Sequence, residues 1–134
     1  MRRLITVAVP FFLIHALEEY LRGYYLTDSV FSLIAEAVSI SPAFAFLLVQ
    51  LVLLLLLFVG VFFIHPLPLI LVGAVFAIEL SHVYIALRDL SLVPGFLTAL
   101  PLIIIGVLYW RQLLAYLFKN MNNARHKTQN KTVA

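Results

Sequence analysis

AFAFLLVQLVLLLLLFVGVFFI, residues 43–64, is a run of 22 residues in which Gln50 is the only strongly polar side chain. A helix needs about 20 consecutive apolar residues to cross the hydrocarbon core of a bilayer, so this segment is long enough. The whole chain is similar in character, since 64% of its 134 residues are hydrophobic and 11% are charged. Soluble domains carry about 25% charged residues. So few polar side chains cannot cover a water-exposed surface, and the sequence therefore predicts a membrane protein.

Three further apolar segments complete a predicted all-α bundle of four transmembrane helices within residues 1–118. The four spans are placed at about residues 4–21, 43–64, 69–88 and 94–112. His65-Pro-Leu-Pro68 separates the second span from the third, because two prolines cannot both continue one helix. Pro94 suits the first turn of the fourth span, where its missing N–H group is not needed.

Two segments outside the spans have a different character. The segment Asp28–Ser41 carries apolar side chains at helical spacing with serines and Glu36 on the opposite side. This pattern predicts a short amphipathic helix at the outer membrane surface. Residues 119–134 are polar, basic and rich in Asn, so we expect them to form a disordered cytoplasmic tail.

The basic residues are concentrated outside the spans, toward the two ends of the chain. Seven of the nine precede the first span or follow the core of the fourth: Arg2, Arg3, Arg111, Lys119, Arg125, Lys127 and Lys131. Lysine and arginine are retained on the cytoplasmic side of membrane proteins, so the sequence predicts that both termini lie in the cytoplasm. The net charge of +3 is then a topology signal, and we expect no nucleic-acid partner.

Two short motifs place ionisable residues inside the predicted spans. His15-Ala-Leu-Glu18-Glu19 lies in the first span, and Glu79-Leu-Ser-His82 lies in the third. Residues three and four apart are neighbours on a helix, so each histidine faces a carboxylate of its own motif. Ionisable groups in a transmembrane segment are costly, and their default interpretation is a functional site.

The two motifs are predicted to lie at the same depth. The first and third spans run in the same direction, and each histidine lies six or seven residues before the arginine that ends its span. At the helical rise per residue this places both rings roughly 10 Å below the outer boundary. His65, in the inner turn, and His126, in the tail, cannot reach this level.

A metal site is the chemistry that this set of side chains favours. Imidazole and carboxylate ligands suit zinc, iron or manganese, and the absence of cysteine from the chain disfavours copper(I). The predicted ligands are His15, Glu18, Glu19, Glu79 and His82. Di-iron and di-manganese bundles use Glu-x-x-His motifs, but this chain has one copy and one reversed copy, which favours a mononuclear or a tight dinuclear site.

The remaining ionisable groups have predicted roles around that metal. Glu18 or Glu19 is the candidate general base toward a metal-bound water, or a bridging ligand if iron activates oxygen. Arg22 and Arg88 are candidates for pairing with the site carboxylates or for binding an anionic group of a substrate or a lipid. Equally, the two arginines mark the membrane interface.

The first motif resembles the signature of the HXXEE family, a group of small bacterial membrane proteins named for it. A second histidine further along the chain belongs to that pattern, and His82 matches it. The stretch Arg88-Asp-Leu-Ser-Leu-Val-Pro94-Gly95-Phe-Leu-Thr98 is similar to the Pro-Gly segment of the family. The resemblance covers about residues 10–110. It implies a multi-span helical protein, for which we expect a location in the bacterial inner (cytoplasmic) membrane, and brings no established activity.

Several functions are compatible with these features. The leading hypothesis is a metal-dependent membrane enzyme, of hydrolase or oxidase/hydroxylase type, that acts on a lipid or other apolar substrate. A non-enzymatic protein would use the same residues for ligand binding or proton transfer. A purely structural polar network, a signal peptide over Met1–Ala16, and a subunit of an oligomer whose polar residues pair with another protein's helices are further alternatives.

Overall fold

A computed structural model describes residues 1–63, 65–89 and 94–132, with the side chains of Asp89 and of residues 123–132 excepted. The end of the predicted second span, Ile64, therefore lies outside the described residues, as do residues 90–93 of the segment that resembles the HXXEE family. The described chain is all-α, with no β-strand. Its helices are α1 Arg2–Leu21, α2 Tyr24–Thr27, α3 Ser29–Val38, α4 Pro42–Phe62, α5 Pro66–Ile78, α6 Leu80–Asp89 and α7 Phe96–Thr132.

Four stretches of helix in the described chain are long and apolar enough to cross a membrane. They cover Arg2–Leu21, Pro42–Phe62, Pro66–Arg88 and Phe96–Asn122. The prediction of a four-span all-α bundle is confirmed. The first three stretches agree with the predicted spans to within a few residues, and the fourth continues beyond its predicted end.

Side-chain caps begin two of the helices at the predicted places. Ser41 Oγ accepts a hydrogen bond from the Phe44 backbone N–H at 3.3 Å, directly before the proline that opens α4. Asp28 Oδ1 accepts one from the Val30 backbone N–H at 2.7 Å and so opens α3. Both residues satisfy N–H groups that a helix start leaves without intrahelical partners. α3 falls within the predicted amphipathic segment.

Two features of the helices differ from the predictions. The third span is broken at Glu79, which forms a turn between α5 and α6, although no proline or glycine adjoins it to signal a break. α7 continues to Thr132, so the segment from Lys119 is helical that far, whereas the sequence predicts disorder. Extending an existing helix adds one hydrogen bond per ordered residue and needs no new nucleus, and the segment contains no proline or glycine.

The core of the bundle lies between α1, α4, α5 and α7. α1 packs on α4 and α7, and α5 packs on the same two helices, which closes a ring of four. Its buried side chains include Ile5, Phe12, Leu57, Leu69, Phe76, Leu102 and Tyr109. The Tyr109 hydroxyl donates to the Leu69 carbonyl at 2.8 Å and satisfies its own polar group inside this apolar core.

Polar contacts fix one end of the bundle. The Met1 amino group donates to Gln112 Oε1. Arg2 Nη2 donates to the Phe62 carbonyl at 3.3 Å, so the start of α1 meets the end of α4. Since α5 begins directly after this point, α1 and the α5–α6 pair run in the same direction, as predicted. The second halves of α1 and of the α5–α6 pair therefore meet at the opposite end, which we name the site end.

Candidate metal centre

Four ionisable side chains are buried together at the site end. His15, Glu19, Glu79 and His82 are 2%, 3%, 4% and 3% exposed. The His15 and His82 rings lie 4.9 Å apart and nearly perpendicular. The two motifs are therefore level with each other, as the span counting predicts. Burial of four such groups in one place requires that they neutralise one another or share a cation.

Glu19 lies between the two histidines. Its Oε2 is 3.6 Å from His15 Nε2, and its Oε1 is 3.2 Å from His82 Nε2. The Gln50 amide nitrogen donates to Glu19 Oε2 at 3.1 Å, from the middle of α4. One ligand atom from each of His15, Glu19 and His82 lies within 4.8 Å of the other two. This spacing is compatible with three ligands around one ion, given metal–ligand distances of about 2.0–2.2 Å.

Glu79 adds a second carboxylate against His15. Its Oε2 lies 3.1 Å from His15 Nε2, but the two atoms are not in hydrogen-bond geometry. Within the described chain, Glu79 Oε2, Gln50 Oε1 and His82 Nδ1 are buried without a hydrogen-bond partner. Buried polar atoms are rarely left in this state, so a proton shared with His15, a water molecule or a bound ion is the expected partner of the Glu79 oxygen.

A hydrogen-bonded chain on the other side of His15 assigns its proton. Thr98 Oγ1 lies 2.6 Å from Glu18 Oε2 and 2.9 Å from His15 Nδ1. A carboxylate only accepts, so the threonine hydroxyl donates to Glu18 and accepts from His15 Nδ1–H. In a neutral imidazole the other nitrogen then carries a lone pair. That nitrogen, Nε2, is the one that faces Glu19 and Glu79.

His15 Nε2 and the oxygens of Glu19 and Glu79 are thus electron-pair donors that face one another. A neutral His15 would direct its Nε2 lone pair at two carboxylates, which is repulsive while both are ionised. A metal ion, a second proton on His15 or a proton on one of the carboxylates removes this repulsion. Thr98, Glu18 and Gln50 surround the donors as the hydrogen-bond partners that usually orient histidine and carboxylate ligands of a metal.

The predicted site residues separate into two groups. The structure brings together four of the five predicted ligands, His15, Glu19, Glu79 and His82. Glu18 is not among them, because its carboxylate points away toward Thr98 and toward Arg22 Nε, which lies 3.4 Å from Glu18 Oε1. The Arg22 side chain is half exposed, and Arg88 is exposed in the last turn of α6. Glu18 therefore lies apart from the other four predicted ligands and contacts Thr98 and Arg22.

Three residues of the site were not predicted as such. Gly95 has φ +83°, and a Cβ there would lie 2.6 Å from His15 Cε1 and 2.9 Å from Glu19 Cγ. Thr98 stands one turn after it. Both belong to the Pro-Gly segment that resembles the HXXEE family, and this resemblance is the sequence signal that points to them. Gln50 is the only strongly polar residue of its predicted span, and that position is a signal that it faces the site.

A cavity of about 410 Å³ adjoins the four buried side chains. Tyr24 and Asp28 form part of its wall, where the Tyr24 hydroxyl donates to Asp28 Oδ2 at 2.7 Å. The Tyr24 ring lies 5.5 Å from the His82 ring. Burial, and then the hydrogen bond to Asp28, raise the pKa of Tyr24, so its hydroxyl keeps its proton and remains a donor.

Comparison of the chain with protein-family models, with curated proteins and with solved structures gave no match. The resemblance to the HXXEE family therefore stays a prediction from its motifs. The roles of the site residues rest on their contacts alone. Those contacts favour cation binding by His15, Glu19 and His82, with Glu79 beside them.

Proposed function

We propose that this protein is a metal-dependent membrane enzyme that acts on a lipid or other apolar substrate. The observation that carries the proposal is the convergence of the His15 Nε2 lone pair and the carboxylates of Glu19 and Glu79 within 3.1–3.6 Å. The Thr98 hydrogen bond directs that lone pair into the site. Zinc, iron and manganese are the ions that such nitrogen and oxygen donors favour.

In this proposal the ligands, the general base and the positioning residues are different side chains. His15, Glu19 and His82 hold the ion, which would supply Lewis-acid activation of water or of oxygen. Glu79 lines the cavity and has an oxygen without a hydrogen-bond partner among the described residues. It is therefore better placed than Glu18 to take a proton from a water molecule beside the substrate. Thr98 and Glu18 position His15.

Elemental analysis tests the proposal. We expect protein purified in detergent without chelators to contain a single zinc, iron or manganese ion per chain. His15→Ala and His82→Ala each remove a nitrogen ligand and will abolish this metal content. His65→Ala is the matched control, because His65 is exposed at the opposite end of the bundle and its replacement will leave the metal in place.

Metal-free native protein, or undiminished metal in both histidine variants, would contradict the proposal. The second candidate, proton transfer, would then gain support from the chain of polar contacts that links Glu79 through His15, Thr98 and Glu18 to the half-exposed Arg22. In that case proteoliposomes will dissipate a pH gradient without added metal, and Glu79→Gln will stop the flux.

The placement in the membrane is also a proposal. We infer a bacterial inner membrane from the resemblance to the HXXEE family, and we place both ends of the chain in the cytoplasm because seven of the nine basic residues lie within three residues of the start or after residue 110. The site end then faces the outer leaflet. A green fluorescent protein fused after Ala134 will fluoresce in this orientation. A dark fusion, together with an active periplasmic reporter at the same place, would reverse it.

A further inference from the structure

The bundle is open along one side near the metal centre. α6 packs on α5 and α7, and α3 packs on α4, but among the described residues α6 has no backbone contact with α3 or α4. By contrast, the other neighbouring pairs of the ring, such as α1 and α4, are in contact. α4 and α6 are therefore farther apart at the level of the site than α4 and α5 are, and the cavity, which is lined from both α4 and α6, lies between them.

The cavity beside the metal centre opens on this side of the bundle. Its inner residues, such as Phe12 and Glu19, are almost fully buried. Two of its other lining residues, Val30 on α3 and Ile78 at the end of α5, are 54% and 52% exposed. A buried floor and an exposed rim mean that the cavity opens sideways. In a membrane, the surroundings of the Ile78 side of that rim are hydrocarbon.

The walls of the cavity are apolar except at its floor. Val49 and Leu53 contribute from α4, and Ile85 contributes from α6. The polar lining residues are those of the metal centre with Gln50 beside them, the Tyr24–Asp28 pair, and Ser81 on α6. A volume of about 410 Å³ lies toward the lower end of the range of about 300–1,000 Å³ that small-molecule sites occupy. A cavity of this size, with apolar walls and polar groups at one end, suits one hydrocarbon chain that ends in a polar group.

We propose that a single-chain lipid enters this cavity sideways from the bilayer, between α4 and α6. Its hydrocarbon chain lies against Val49, Leu53 and Ile85. Its polar group faces the metal centre, and the Tyr24 hydroxyl oxygen, whose proton is donated to Asp28, is a hydrogen-bond acceptor beside it. The chemistry done on that polar group rests on the proposed function. Binding of the chain does not, because it depends on the space between α4 and α6 and on the apolar walls.

Photo-labelling in nanodiscs tests the lateral path. A fatty acid with a diazirine in its chain is added to protein in phosphatidylcholine nanodiscs and irradiated, and mass spectrometry locates the label. Val49, which lines the cavity, is compared with Val52, which is 55% exposed on the same helix. We expect label on both. Ile78→Trp, which fills the rim, will reduce the label on Val49 to the unirradiated level and leave Val52 unchanged.

Leu80→Trp is the matched control. Leu80 is 53% exposed, close to the 52% of Ile78, and lies two residues further along, but it does not line the cavity. It will leave both labels unchanged. Ile85→Trp replaces Ile78→Trp if the latter fails to fold. The proposal would be overturned if Val49 stayed unlabelled in the native protein, or if its label survived both Ile78→Trp and Ile85→Trp. If the protein contains no metal but Val49 is labelled, the proposed enzyme is wrong and the lipid path stands. If the protein contains metal but Val49 is unlabelled, the lipid path is wrong and the proposed enzyme stands.

Discussion

Glu19→Gln will remove the metal that we propose this site binds, whereas the same change at the adjacent Glu18 will weaken metal binding by only about 10-fold. Glu19 approaches the Nε2 atoms of both histidines, and glutamine keeps its shape while losing the charge. Loss of an outer hydrogen-bond partner typically costs about 10- to 100-fold in metal affinity, and loss of a ligand will exceed about 100-fold. Titration against a metal-sensitive chelator measures both constants.

Glu18→Gln will lower the affinity by about 10-fold, at the lower end of the range for outer partners. Glutamine at this position still accepts from Thr98 through its carbonyl oxygen, so His15 keeps its orientation. Thermal unfolding of each metal-free variant serves as the control for folding. Equal losses of metal from the two variants would show that the division between Glu18 and Glu19 is wrong.

Gly95→Ala will both destabilise the bundle and abolish metal binding. The backbone at this residue is in the left-handed region, φ +83°, where a side chain costs about 1–2 kcal/mol. The added methyl group would also lie 2.6 Å from His15 Cε1 and 2.9 Å from Glu19 Cγ. Overpacking of this kind costs about 1–3 kcal/mol, and here it displaces two of the proposed ligands. Melting temperature and metal content report the two effects.

Gly23→Ala separates backbone strain from crowding. Gly23 has φ +70°, but a Cβ there would meet only Leu26 Cδ1 at 3.6 Å, an ordinary contact. This variant will lose stability of the order of the backbone cost alone, about 1–2 kcal/mol, and will keep its metal. If Gly95→Ala retained metal as Gly23→Ala does, Gly95 would not be a positioning residue of the site.

Hydropathy and charge were sufficient to predict the four spans and the level of the two histidines. Both depend on quantities that are averaged along a helix, which are the length of the apolar segment and the rise per residue. The four buried groups follow from the same reasoning, because ionisable residues in spans face the interior of a bundle. The contact between His15 and His82 confirms it.

The finer features depend on contacts that one sequence does not encode locally. Glu18 and Glu19 are about 100° apart on the helix, so either could face His82, and only the position of α7 with Thr98 separates them. The turn at Glu79 has no proline or glycine beside it, so nothing local predicts it. Composition predicts disorder for residues 119–134, but composition does not account for the continuation of a helix that is already formed.

The few contacts of α6 have a consequence for assembly. Among the described residues α6 has no backbone contact with α1, and the cluster around His82 and Glu19 links these two helices through side chains. Apolar helix surfaces gain little by leaving lipid for one another, so polar pairs and close packing decide which helices associate. An ion held by ligands from both helices would hold α1 and α6 together, and its binding free energy would add to the stability of the bundle.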